Sequence, residues 1–237
     1  MATHKAPARV SRRHELREDK VITFYSRMAI FFEDNRTLVF GVIGAVVLLV
    51  ILGAGYNLFQ EKKEAQAQTA LAAAVRAYER GDFQVALDGE ESGAAGLVEV
   101  AREFGGTDAG NLASYYAGDA LYRLGKFAEA LPHFEAFDKG DSVLGSASFA
   151  AEAAIYENTG EPARAAERYE RAATVFATDF TTPQYLLNAG RNYASAGNFA
   201  KARTMYERIE SEYPESAPAR EIAYYTARLD ALAAASE

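Results

Sequence analysis

The feature that most constrains this chain is an uncharged apolar run of 23 residues, from Thr37 to Phe59. About 20 apolar residues, rising ~1.5 Å each in a helix, cross the ~30 Å hydrocarbon core of a bilayer. Tyr56 and Phe59 lie near the end of the run, where interfacial aromatic residues are expected. The run therefore predicts one transmembrane helix over residues 37–59.

A cleaved secretory signal is the alternative interpretation of this run. Gly53, Ala54 and Gly55 form a small-residue segment of the kind found at cleavage sites. However, 36 residues precede the run, which is far longer than the charged leader of a normal signal peptide. A helical pattern also continues directly after it from Glu61. We therefore expect an uncleaved membrane anchor.

The distribution of charge predicts the orientation of the anchor. Residues 1–36 contain eight Lys/Arg and five Asp/Glu, whereas residues 60–237 contain 17 Lys/Arg and 28 Asp/Glu. Within the first 21 residues after the run, the only basic residues are Lys62, Lys63, Arg76 and Arg80. Because basic segments flanking a membrane helix stay in the cytoplasm, we expect a cytoplasmic N-terminal arm and an exported C-terminal domain.

A second membrane-related pattern lies within the basic arm, at residues 15–34. Large apolar residues recur there at helical spacing on one face: Val21, Phe24, Tyr25, Met28, Phe31 and Phe32. This spacing predicts an amphipathic helix on the cytoplasmic surface of the membrane. The alternative is that the same face packs on the transmembrane helices of a partner, because a membrane surface and a partner helix would both bury one apolar face.

Composition argues against several classes of function. The chain has no cysteine, and its three histidines are His4, His14 and the isolated His133. These residues provide neither the spacing of a metal site nor a nucleophile with its base. The strongly acidic residues 60–237 would repel a phosphate backbone. We therefore expect no enzyme activity, metal, cofactor or small-molecule substrate, and no nucleic-acid binding.

Three segments of the acidic region share one internal spacing. Each has a glycine, then a ring residue two positions later, an alanine five later and an aromatic residue nine later. The glycines are Gly125, Gly160 and Gly197, and they are separated by 35 and 37 residues. A period of this size is typical of helical repeat architectures.

The repeated pattern resembles the tetratricopeptide repeat family, a helix–turn–helix of 34 residues. In that family, small residues let neighbouring helices approach and large residues fill the space between repeats. The positions that match are Gly118, Leu121, Ala130, Phe134, Ala153, Tyr156, Ala165, Tyr169, Gly190, Tyr193, Ala202 and Tyr206. The family's early tryptophan is replaced in all three copies, and its closing proline is present only as Pro214.

The resemblance implies an all-α fold, with one N-terminal transmembrane helix followed by a helical-repeat solenoid and a C-terminal capping helix. The expected parts are the basic arm (1–36), the transmembrane helix (37–59) and the repeat domain (60–237). Within the last, we expect a degenerate repeat (about 67–110), three repeats (about 111–144, 146–179 and 183–216) and the capping helix (about 218–235). The degenerate repeat carries a glycine-rich insertion that we expect to be a flexible loop, with one short amphipathic helix predicted within it by Leu97, Val98, Ala101 and Phe104.

The resemblance also implies a groove for protein partners on the first helix of each repeat. The equivalent positions that we take as candidate groove residues are Leu112, Tyr115, Asp119, Tyr122, Glu157, Gln184, Leu187 and Arg191. The lysine and asparagine residues with which some family members clamp a chain-terminal carboxylate are largely replaced. Tyr115 and Tyr122 fit two interpretations equally: stacking on an extended peptide, or packing between repeats.

The whole layout resembles the ancillary subunit of the bacterial Sec translocon (YfgM-like proteins). This resemblance implies an inner-membrane protein with a periplasmic domain. Its expected partners are the lipid bilayer, translocon subunits, periplasmic chaperones and emerging chains. The alternative is a structural scaffold of another envelope complex, for cell division or outer-membrane assembly.

Overall fold

The fold is known from a computed structural model that describes residues 25–90 and 93–235. Within these residues the chain is helical and contains no strand, which confirms the predicted all-α class. The helices are α1 (residues 25–34), α2 (Arg36–Glu79), α3 (Phe83–Asp88), α4 (Leu97–Glu103), α5 (Asp108–Arg123), α6 (Phe127–Ala136), α7 (Val143–Asn158), α8 (Pro162–Val175), α9 (Thr182–Ser195), α10 (Phe199–Glu212) and α11 (Ala217–Ala234).

Helix α2 contains the apolar run. It is the one described helix that is long and apolar enough to cross a membrane. Only 6% of its most apolar stretch is buried, whereas the core helix of a soluble protein would be mostly buried. The chain divides into two compact units between Phe59 and Gln60. Beyond that division, α2 buries Ala67, Leu71, Ala74 and Ala77 at helical spacing.

The predicted amphipathic helix lies partly outside the described residues. The first part of this helix, which includes Val21 and Phe24, lies outside the described residues, as does most of the basic arm. Residues 25–34 are helical, and the side chains of Met28, Phe31 and Phe32 are exposed.

One turn recurs at four places along the acidic region. Gly81, Gly125, Gly160 and Gly197 each follow a helix and adopt φ between +74° and +83°, a conformation that favours glycine. After each glycine, the next backbone N–H donates to a carbonyl five residues earlier, at 2.8–3.0 Å. This is the hydrogen-bond pattern of a Schellman helix ending. The degenerate repeat therefore turns in the same way as the three repeats that follow it.

Hydrogen bonds to side-chain caps determine where α5, α7 and α11 begin. Thr107 and Ser142 accept hydrogen bonds from the backbone N–H groups of Gly110 and Gly145, each at 3.0 Å. As a result, α5 and α7 each begin three residues before residues 111 and 146, which are the first residues of the predicted repeats. Ser216 caps α11 in the same manner, through Ala219 N at 3.2 Å.

The glycine-rich insertion between α3 and α5 is packed where the structure describes it. Gly89 and Ala95 form an isolated bridge. A Cβ atom on Gly89 would lie 2.3 Å from Ala94 O, and one on Gly96 would lie 2.1 Å from Leu87 O. The expectation of a flexible loop is therefore wrong for these residues, because the glycines permit close contact between two backbone segments. Residues 91–92 lie outside the description.

Small residues and aromatic rings meet inside each of three helix pairs, which are α5 with α6, α7 with α8, and α9 with α10. All twelve residues predicted to pack the repeats are buried. A Cβ atom on Gly118 would lie 3.1 Å from the ring of Phe134, and one on Gly190 would lie 2.3 Å from Cε1 of Tyr206. In the pair formed by α9 and α10, the second helix therefore lies closer to the first than an alanine would permit, and in the pair formed by α5 and α6 the contact is tight.

The buried residues form two hydrophobic clusters. The first joins α2 to α6 and reaches Ile155 of α7, whereas the second joins α7 to α11. Near the junction lies Glu152 of α7, which is 1% exposed. Its carboxylate is 2.9 Å from Lys139 Nζ and 3.1 Å from Arg168 Nε. Lys139 also donates to Phe134 O at 2.6 Å, so one buried ion network links α6, α7 and α8.

The closeness of Gly190 to Tyr206 predicts a destabilising substitution. In Gly190→Ala, the new methyl group would overlap a ring that is 3% exposed and has little room to move. We expect a loss of about 1–3 kcal/mol in the free energy of unfolding, measured by urea and circular dichroism. Gly106→Ala is the control, because a Cβ there meets nothing within 4 Å. Equal stability of the two variants would contradict the packing account.

The Glu152 network predicts a second stability effect. Lys139→Met keeps most of the side-chain stem but leaves a buried carboxylate with one cationic partner fewer. We expect a loss of about 3 kcal/mol in urea unfolding, because a broken buried pair leaves an uncompensated charge. Arg203→Met is the control: its pair with Asp230 is about half exposed on both sides, so about 1 kcal/mol or less is expected. Similar losses in both variants would show that the buried network stabilises the fold no more than an exposed ion pair does.

Candidate protein-binding surface

The candidate groove residues lie on the first helices of the three pairs, α5, α7 and α9. We call their partly or fully exposed side chains the first-helix surface. On α5, Tyr115 and Tyr122 are half-buried. At the positions equivalent to Tyr115 and Asp119, α7 carries Ala150 and Ala154, which are also half-buried. The side chains of this surface are thus aromatic on α5 and small on α7.

The two tyrosines of α5 pack inside the protein and also reach its surface. The ring of Tyr115 lies 5.9 Å from that of Phe134 and 5.4 Å from that of Phe137. The ring of Tyr122 lies 5.3 Å from that of Phe127. Each ring therefore has one face committed to packing and an edge that remains accessible. The two interpretations offered by the sequence are compatible with each other.

Asp119 has partners within its own chain. Its carboxylate accepts a short hydrogen bond from the Tyr78 hydroxyl and pairs with Arg123 Nε at 2.5 Å. The Arg123 guanidinium also lies 5.5 Å from the ring centre of Phe83. Burial and Asp119 together raise the pKa of Tyr78 to about 12. Asp119 therefore fastens the end of α2 to α5. Sequence reasoning missed this role, although Tyr78 holds the place of Tyr122 in the degenerate repeat.

Three candidate residues from three successive first helices act electrostatically on one buried tyrosine. The Tyr169 hydroxyl, on α8, donates to Glu157 Oε2 at 3.2 Å. Burial, followed by the charge of Glu157, raises the pKa of Tyr169 well above its usual range. Tyr122 and Arg191 also lie within electrostatic reach of this hydroxyl. Tyr122, Glu157 and Arg191 are each at least partly exposed, and we call these three residues the Tyr122 patch.

The remaining candidates do not join this patch. Leu112 is half-buried against the first hydrophobic cluster. Leu187 is 5% exposed and belongs to the second cluster, so it offers little surface to a partner. Gln184 is exposed and donates to Asn188 Oδ1 at 3.1 Å. A repeat position alone does not tell a core leucine from a surface leucine, because both lie near the edge of the buried face.

Within residues 25–90 and 93–235, no group of three or more His, Asp or Glu side chains is arranged to hold a metal ion. His133 is partly buried on α6, and burial lowers its pKa.

Comparison with known protein families supports the repeat interpretation at the last helix pair. Residues 184–216 match the model of the tetratricopeptide repeat family. The matched segment contains most of α9 and all of α10. A tetratricopeptide repeat indicates a module that binds other proteins. Searches of curated proteins and of solved structures give no match.

The buried hydroxyls predict how tyrosine ionisation depends on folding. Burial raises the pKa of Tyr78, Tyr115 and Tyr206 to about 12, whereas unfolded tyrosine ionises near pH 10. Their contribution to stability is therefore complete below about pH 10 and is lost as pH rises toward 12. We expect the ultraviolet absorbance of tyrosinate to rise in two phases in the folded chain. The urea-unfolded chain should titrate in one phase near pH 10, and a single such phase in the folded chain would refute the assignment.

Proposed function

We propose that this chain is a single-pass membrane protein whose exported repeat domain binds other proteins and has no catalytic role. The observation that carries the proposal is the Tyr122 patch. Its partly or fully exposed side chains come from three successive first helices, and the tetratricopeptide match includes the third of them. A surface of this kind suits an extended or helical polypeptide, because each repeat adds one side chain to a common line.

The proposed localisation is the bacterial inner membrane, with the N-terminal arm in the cytoplasm and the repeat domain in the periplasm. The exposed apolar stretch of α2 and the excess of basic residues before it support this orientation. The lipid bilayer is thus the partner of the apolar run, and proteins are the partners of the acidic domain.

The finer proposal is an ancillary, chaperone-like adaptor at the protein translocon. In this role the domain receives emerging chains and passes them to periplasmic chaperones. The layout of arm, single span and exported repeats supports it, as do the aromatic side chains of α5, which suit apolar segments of unfolded chains. The alternative is a scaffold that holds one folded partner in a cell-division or outer-membrane assembly complex.

The first test is crosslinking in intact membranes. A photoreactive residue in place of Tyr122 should capture polypeptides that mass spectrometry can identify. Translocon subunits together with periplasmic chaperones support the adaptor. A single stoichiometric envelope partner favours the scaffold, cytoplasmic partners overturn the orientation, and capture of no protein overturns the proposed function.

Substitution of the α5 tyrosines tests whether the patch itself binds. We expect Tyr122→Ala and Tyr115→Ala each to weaken binding of an unfolded apolar peptide about tenfold, because buried aromatic anchors carry much of the energy of such interfaces. Tyr224→Ala is the matched control, since Tyr224 is 64% exposed on α11, away from α5. Circular dichroism checks that Tyr115→Ala remains folded. Unchanged binding in Tyr122→Ala would contradict the assignment of the Tyr122 patch, and unchanged binding in both variants would contradict any role of the α5 tyrosines.

A further inference from the structure

A small cavity lies where the last repeat meets the capping helix. It has a volume of about 100 Å³ and is bounded by the ends of α7 and α9, by α10 and by α11. The side chains that matter for its chemistry are Arg191, Arg228, Tyr206, Tyr225, Glu157 and the apolar pair Leu229 and Leu232. We call it the Arg191–Arg228 cavity. It adjoins the Tyr122 patch through Glu157 and Arg191.

The two arginines of this cavity have no partner within the described chain. Neither guanidinium makes an ion pair or a hydrogen bond there. By contrast, Arg203 and Arg208 of the neighbouring α10 pair with Asp230 and Glu212 respectively. In a domain with an excess of acidic residues, two unpaired cations at one cavity mark a local reversal of charge. Glu157 offsets one of the two charges, which leaves a net positive lining.

A tyrosine hydroxyl at the cavity also lacks a partner within the described residues. Tyr206 is 3% exposed, and its hydroxyl makes no hydrogen bond within the described residues. Burial raises its pKa to about 12, while the charges of both Arg191 and Arg228 act on it in the opposite direction. Arg191 and Arg228 also line the same cavity as Tyr206. This hydroxyl is therefore free to donate a hydrogen bond to an acceptor bound in the cavity.

The size and lining of the cavity define its ligand. Pockets for small organic ligands measure about 300–1,000 Å³, so a space of about 100 Å³ suits one side chain or a chain end rather than a metabolite. Guanidinium and phenol donors together suit a carboxylate. Leu229 is buried and Leu232 is 41% exposed, so the rim offers an apolar contact beside the charged one.

We propose that the Arg191–Arg228 cavity binds a carboxylate of a protein partner, with an apolar side chain next to it in the partner packing on Leu232. The carboxylate belongs to an Asp or Glu side chain or to a chain terminus. This inference rests on the proposed protein-binding function and assigns it a chemical specificity. The cavity uses the capping helix, which lies outside the repeated units.

Binding of defined peptides to the full chain in lipid nanodiscs tests the proposal. Three short fluorescent peptides carry leucines around one variable residue: Glu with a blocked C-terminus, Gln with a blocked C-terminus, and Gln with a free C-terminal carboxylate. We expect at least one carboxylate peptide to bind about tenfold more tightly than the blocked Gln peptide, as charged hydrogen bonds confer. The better of the two identifies the source of the carboxylate. Equal binding of all three peptides, or no binding, overturns the proposal.

Two variants and a matched control locate the effect. Arg228→Gln should reduce the preference for the carboxylate to near unity, and Tyr206→Phe should reduce it several-fold while keeping the ring. Arg220→Gln is the control, because Arg220 is exposed on the same helix outside the cavity. The preference should survive in that variant. An equal loss in Arg220→Gln would show that net charge, not the cavity, selects the peptides.

Crosslinking in membranes separates failure of the cavity from failure of the proposed function. If the photoreactive chain captures proteins but the peptides bind alike, the cavity assignment fails and the protein-binding function stands. If the peptides show the expected preference but no protein is captured in membranes, the cavity assignment stands and the proposed function fails.

Discussion

The packing of an aromatic ring against a residue without a bulky side chain is the contact on which the repeat domain depends. Gly118 meets Phe134, and Gly190 meets Tyr206, at distances that leave no room for a methyl group at the second site. Because these contacts hold the two helices of a pair together, they also set where the first helices present their outer side chains. The Tyr122 patch and the Arg191–Arg228 cavity both depend on that placement.

A buried ion network joins the two halves of this packing. The carboxylate of Glu152 lies between Lys139 and Arg168 near the place where one hydrophobic cluster gives way to the next. Hydrophobic burial tolerates sliding between helices, whereas paired charges and their hydrogen bonds require particular positions. We infer that the network holds α6, α7 and α8 in register. The same principle operates at Asp119, which holds the end of α2 against α5 through Tyr78.

The proposed binding surface combines structural and functional demands on the same residues. Tyr122 packs on Phe127 and still reaches the surface, and Glu157 accepts a hydrogen bond from the buried Tyr169 while remaining exposed. Side chains held in this way lose little conformational freedom when a partner binds, which favours affinity. The capping helix adds Arg228 to this line and extends it beyond the repeats. On the proposed function, a module so arranged binds both apolar and acidic side chains of a polypeptide.

The sequence by itself determined the features that follow from local spacing: an all-α chain, an apolar helix long enough to cross a bilayer, and the glycine turns at Gly125, Gly160 and Gly197. Local patterns suffice there because hydropathy, helix period and positive φ are properties of neighbouring residues. Only the tertiary structure decided which residues meet. It turned Asp119 inward to Tyr78, buried Leu187, packed the insertion around Gly89 and gathered Arg191 with Arg228 from different helices. Such contacts join residues far apart in the chain, and no spacing along the sequence encodes them.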